Sequence, residues 1–108
     1  MPTNYLACDL GADSGRLMLG SLEAGKISLQ ELHRFPNGPT KTNGALYWNI
    51  EGLFAELKTG LKKAAATQLP IASISTDSWG VDYVLYDERG LIMPPAMAIA
   101  VSAVILAT

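Results

Sequence analysis

Tyr5-Leu6-Ala7-Cys8-Asp9-Leu10-Gly11-Ala12-Asp13-Ser14-Gly15-Arg16-Leu17-Met18-Leu19 is the stretch that decides the fold. Residues 5–10 form a short apolar run and read as a buried strand. Residues 16–22 form a second such run, and the glycine-rich, polar segment 11–15 between them reads as the tip of a hairpin. Moving outward, Gly25 supplies the next turn, and 26–35 alternates through Ile27, Leu29, Glu31 and His33, which predicts a third strand. Three antiparallel strands in a meander are therefore expected. Residues 36–45 gather Pro, Gly, Asn and Thr, the residues of turns, and read as a surface loop.

After Trp48 the period changes from two to nearly four. Asn49 is placed to cap a helix, and Ile50, Leu53, Phe54, Leu57 and Leu61 recur at helical spacing as a core-facing stripe. Glu51 near the start and Lys62 and Lys63 near the end suit the helix dipole. Residues 71–75 then predict a strand reached through a helix, which places it parallel to the strand at 5–10. A further strand is expected over 81–86, with a turn at Asp87-Glu88-Arg89-Gly90. The order is thus β-β-β-α-β-β, in an α/β fold.

Composition narrows the possible functions. With 108 residues, 49% of them hydrophobic and 17% charged, the chain has the makings of one folded unit and not of a disordered tail. Its eight Lys and Arg are dispersed and its net charge is -2, so it carries no electrostatic footprint for nucleic acid. Cys8, the single cysteine, is expected to be a small buried hydrophobe. The first residues lack a basic flank and a long apolar segment, which points to the reducing cytoplasm. From residue 96 to residue 108 there is no charge at all, and these 13 residues fall short of the roughly 20 that span a bilayer. This tail is expected to lie outside the fold, leaving 1–95 as the folded part.

Two polar segments stand out against these apolar runs. In the first, Asp9 to Arg16, the glycines allow backbone amides to approach an anion, Ser14 offers a hydroxyl and Arg16 a guanidinium. Asp9, at the end of its strand, suits a hydrated Mg²⁺. The same composition also makes an ordinary hairpin turn. In the second, Ser75 to Tyr83, carboxylates and an indole flank Gly80, which suits a sugar: acceptors for hydroxyls and a flat face for C–H groups. A structural turn around a buried Trp fits these residues as well. His33 is isolated from any second His or Cys in sequence, and a structural role is expected for it.

The pattern Asp9-x-Gly11-x-x-Ser14-x-Arg16 resembles the first phosphate motif of the FGGY carbohydrate kinases, members of the ribonuclease H-like actin, Hsp70 and hexokinase superfamily. The run Asp77-Ser78-Trp79-Gly80-Val81-Asp82 is similar to a segment of the rhamnulokinases within that family. So are His33-Arg34-Phe35-x-Asn37-Gly38 and Trp48-Asn49-Ile50. The resemblance spans residues 4 to about 95 and implies an incomplete N-terminal subdomain of that superfamily fold. It implies ATP bound over Ala12, Asp13, Ser14, Gly15 and Arg16, with Mg²⁺ at Asp9. It also implies a sugar, L-rhamnulose, against Gly80, with Asp77, Trp79 and Asp82 shaping the pocket. The family's catalytic base is an aspartate later in the chain, so no catalytic residue is expected here. Asp13 departs from the family by adding a carboxylate where phosphate approaches. Beyond Pro94-Pro95 a Tyr-Arg-Asp type segment gives way to the uncharged tail, as a frameshift or truncation would produce. Two alternatives stay open: a non-catalytic actin-like module that binds nucleotide or a partner, and an FGGY kinase for another ketose or polyol.

Overall fold

The computed structural model describes residues 1–80, 82–90 and 92–93. Its centre is a four-stranded sheet in the order β3-β2-β1-β6, built from β1 (Thr3–Leu10), β2 (Ser14–Glu23), β3 (Lys26–Pro36) and β6 (Ile71–Ser78). The first three strands run antiparallel, and β6 lies parallel to β1. All four follow the sequence reading, as does α1 (Ile50–Ala66). The side chain of Asn49 caps α1 by accepting from the Gly52 amide at 3.0 Å.

Alternation along the strands decides which residues form the core. Leu6 and Cys8 of β1 and Leu17 and Leu19 of β2 turn to one face and are buried there with Ala64 of α1. The helix lies over β2 and β3. It approaches closely at Gly60, where a Cβ would stand 2.9 Å from Leu17 Cδ2 and 3.1 Å from its Cβ. His33, on the same face of β3, ties sheet to helix through Glu56 Oε2 at 2.6 Å and Lys63 Nζ at 2.8 Å. Its two ring nitrogens thus face one partner each, both on the helix. The lone histidine is therefore a structural strut. Asn4, buried at the start of β1, is satisfied by Ser21 Oγ at 2.7 Å and by the Pro70 carbonyl at 3.2 Å, which moors the entry to β6.

Three expectations are corrected. Residues 36–45 are not all loop: β4 (Thr40–Thr42) and β5 (Ala45–Tyr47) pair across Asn43-Gly44, both at positive φ (51° and 80°). Asn-Gly is the dipeptide that this two-residue hairpin turn requires. The helical stripe is rotated from the one inferred. Phe54 is 59% and Leu61 39% exposed, and the buried positions are Leu53, Gly60 and Ala64, because the small residues admit the closest approach to the sheet. The strand expected over 81–86 is shorter. Among its described residues only β7 (Leu85–Tyr86) is strand, paired with β8 (Ile92–Met93), while Asp82 and Val84 join a side-chain cluster around Trp48. The apolar tail 96–108 lies outside the described residues. Among those described, no helix is long and apolar enough to cross a membrane.

Candidate functional site

The carboxyl ends of the parallel strands β1 and β6 lie side by side, the position where ligands bind in open α/β sheets. Register places Arg34, Arg16, Asp9 and Asp77 in one row across β3, β2, β1 and β6, on the face opposite the helix. Arg16 Nε stands 3.2 Å from Asp9 Oδ2. That contact is an ion pair without an aligned hydrogen bond, and it leaves a buried guanidinium N–H in want of an acceptor. Asp77 accepts from the Ser78 amide at 3.0 Å.

The turn above this row is braced by backbone. Gly11 N–H donates to Ser14 C=O at 3.0 Å. Asn37 donates twice, from its amide to Asp13 C=O at 2.9 Å and from Nδ2 to Gly11 C=O at 2.8 Å. Gly11 admits the Ser14 carbonyl 2.7 Å from where a Cβ would sit, and the Phe35 ring fills the corresponding place at Gly15. Both glycines thus have a packing reason that holds with or without an anion. The Asp13 side chain is turned to solvent. Ala12 packs against the Trp48 cluster.

That cluster is the second part of the site. Trp48 and Trp79 meet with ring centroids 4.4 Å apart at 45°. Their indole N–H groups converge on Asp82 Oδ2, at 2.8 Å from Trp48 and 2.9 Å from Trp79. Together with Leu10, Ile50, Ser78 and Tyr83 they line a mostly apolar cavity of about 320 Å³. The backbone N–H of Trp79 donates to Leu10 C=O at 3.1 Å, so one peptide contact joins the indole loop to the end of the strand that carries Asp9.

Of the residues named from sequence, Asp9, Arg16 and Asp77 are neighbours on the row, and Trp79 and Asp82 meet at the cavity. Ala12 and Asp13 form the turn that follows β1, and Ser14 and Gly15 open β2. Gly80 is exposed, and among the described residues nothing lies within 4 Å of where a Cβ would be. Sequence reasoning assigned no site role to Asn37 or Trp48, although both stand in stretches that carried the resemblance. Their partners Gly11 and Asp82 lie 26 and 34 residues away, a pairing that only the fold discloses.

The residues on the row fit a magnesium nucleotide. Two hard carboxylates stand side by side, and a buried guanidinium N–H lacks an aligned acceptor of the kind a phosphate oxygen provides. Among the described residues no cluster of three or more His, Cys, Asp or Glu forms a cage for a metal.

No family model matches the chain. The rhamnulokinase of Bacillus subtilis (strain 168) is 43% identical over 86 residues, which are 80% of this chain and 18% of that protein. The rhamnulokinase of Ligilactobacillus salivarius (strain UCC118) is 49% identical over 86 residues, with the same coverage. Among solved structures, gluconate kinase from Lactobacillus acidophilus superposes with a TM-score of 0.70 at 11% identity, over 99% of this chain and 22% of that one. Xylulose kinase from Rhodospirillum rubrum gives 0.64 at 17% identity, over 87% and 20%. The fold is therefore that of sugar kinases, and the chain spans about a fifth of the length of the curated relatives it matches.

Proposed function

We propose, from the premise that this chain resembles the first part of a rhamnulokinase of the FGGY carbohydrate kinases, that it is the phosphate-turn and sugar-wall segment of such an enzyme. The intact protein transfers the γ-phosphate of ATP to the 1-hydroxyl of L-rhamnulose, giving L-rhamnulose 1-phosphate and ADP. The observation that carries this reading is the meeting of the Asp9–Arg16 row and the Trp79 loop at the ends of β1 and β6, joined through Leu10 C=O.

The chemistry follows from those positions. In-line phosphoryl transfer asks a protein mainly for placement and charge stabilisation. Arg16 directs its guanidinium toward phosphate oxygens while Asp9 keeps it oriented. Asp9, with Asp77 beside it, would hold the metal through water, and Mg²⁺ when bound offsets the charge of the phosphates. Asn37 and the Gly11-to-Ser14 contact keep the turn fixed before nucleotide arrives, so little ordering is left to be done on binding. On the other side Trp79 offers a flat apolar face. L-Rhamnulose is a 6-deoxy sugar, and its methyl group suits a cavity walled by Leu10, Ile50 and indole. The general base belongs to the later part of the enzyme, so this chain by itself binds without turning over.

The test is a chimera in which residues 1–93 replace the corresponding part of the B. subtilis rhamnulokinase. Phosphorylation of L-rhamnulose is expected. Asp9→Asn in the chimera should lower kcat/KM by about a hundredfold, the loss of about 2.7 kcal/mol of transition-state stabilisation. A folded chimera with no activity, or Asp9→Asn with undiminished activity, would sink the proposal. So would sugar phosphorylation by the purified 108-residue chain that disappears on mutation of Asp9, since such a chain would not lack a base.

A further inference from the structure

We propose that Asp82 is a positioning residue: its carboxylate locks Trp48 against Trp79 and so presents the Trp79 ring to the sugar, instead of meeting the sugar itself. This rests on the sugar-wall reading above. The argument starts from Oδ2. One carboxylate oxygen receives both indole N–H groups, at 2.8 and 2.9 Å, and these two donors occupy its two lone pairs. An indole N–H only donates, and a buried one needs an acceptor. Trp48 is 5% exposed, so its N–H depends on Asp82.

The two rings differ in their surroundings. Trp48 adjoins Asn49, the helix cap, and is buried, so α1 fixes it. Trp79 sits where β6 ends, half-buried, beside Gly80, and borders the cavity. A shared acceptor transfers the rigidity of the first ring to the second. With both N–H groups engaged on Asp82, the rings offer the cavity their carbon faces, which suit the C–H side of a sugar and exclude water from it. Asp82 therefore acts on ligand through Trp79.

The sequence supplies the probe, because its two tryptophans are these two. Near-ultraviolet circular dichroism of the 108-residue chain reads the ring pair with no ligand present, and tryptophan fluorescence follows a titration with L-rhamnulose. Asp82→Ala is expected to remove at least about half of the tryptophan dichroism and to weaken sugar binding about tenfold, the size of one lost charge-assisted hydrogen bond. Asp82→Asn retains a carbonyl oxygen that can take both N–H groups, and should keep each signal within about twofold. In a Trp48→Phe background, Asp82→Ala should weaken binding less than about twofold further, as expected of residues acting as one unit.

Intact tryptophan dichroism in Asp82→Ala would overturn the proposal. Sugar binding as poor in Asp82→Asn as in Asp82→Ala, with dichroism kept, would overturn it in favour of direct contact by the carboxylate. If Asp82→Ala fails to fold, Asp82→Asn alone decides by the same two signals. A parent chain whose fluorescence does not respond to L-rhamnulose removes the sugar-wall reading and this role with it, while the dichroism still reports whether the ring pair is clamped.

Discussion

The molecule has two hydrophobic clusters made on different terms. Under the helix, Leu6, Cys8, Leu17, Leu19 and Ala64 form an aliphatic core with no charge in it. At the strand ends, Trp48 gathers Ala12, Leu46, Ile50, Trp79 and Val84 around a carboxylate. The first needs only apolar volume and alternation. The second needs an acceptor placed between two indoles, and its members come from three separate stretches of chain. Apolar area holds the sheet to the helix, and directed hydrogen bonds shape the end where a ligand would bind.

The largest expected effect lies in the aliphatic core. Leu17 is 1% exposed and touches the helix at Gly60, so Leu17→Ala should cost about 2–5 kcal/mol, read as a lower urea midpoint by far-ultraviolet dichroism. An unchanged midpoint would break the contrast, because it would mean that this core is not what holds the fold. A smaller effect is expected at the strand ends. Asn37→Ala removes the Nδ2 bond to Gly11 C=O and should cost about 0.5–1.5 kcal/mol, with faster amide exchange at Gly11 as the local sign. A loss as large as that of Leu17→Ala would erase the distinction between the two regions.

The smallest effect is expected on the helix surface. Phe54 is 59% exposed, with Lys58 Nζ 4.8 Å from its ring centroid. Phe54→Ser should change stability by less than about 1 kcal/mol, the helix propensities of the two residues being close. A cost of several kcal/mol in the same urea titration would restore Phe54 to the core from which the structure removes it.

The aliphatic region was largely legible in the sequence. The apolar runs 5–10 and 16–22, the alternation in 26–35 and the capped helix after Asn49 carry their meaning locally, and the β-β-β-α-β order follows from them. The face of the helix was less legible. Periodicity marks large apolar residues, whereas close packing on the sheet selects Gly60 and Ala64, which have little side chain to mark. The Asn43-Gly44 hairpin was visible in principle, since that dipeptide is itself a turn signal, but the Pro and Gly around it read as loop. The site was legible only in part. Asp9, Arg16, Asp77, Trp79 and Asp82 stand in two local runs, whereas Trp48 and Asn37 gain their roles from partners far along the chain.

Cys8 carries a practical consequence. It lies mid-strand in the aliphatic core at 3% exposure and is the chain's one thiol. A thiol reagent reaches it only when the sheet and helix part. The rate at which it is labelled in native buffer therefore measures how often that opening occurs, with no denaturant and no engineered residue. The chain thus carries its own clock for the region that holds it together, read through a thiol on the helix-covered face and not through the tryptophans at the carboxyl ends of β1 and β6.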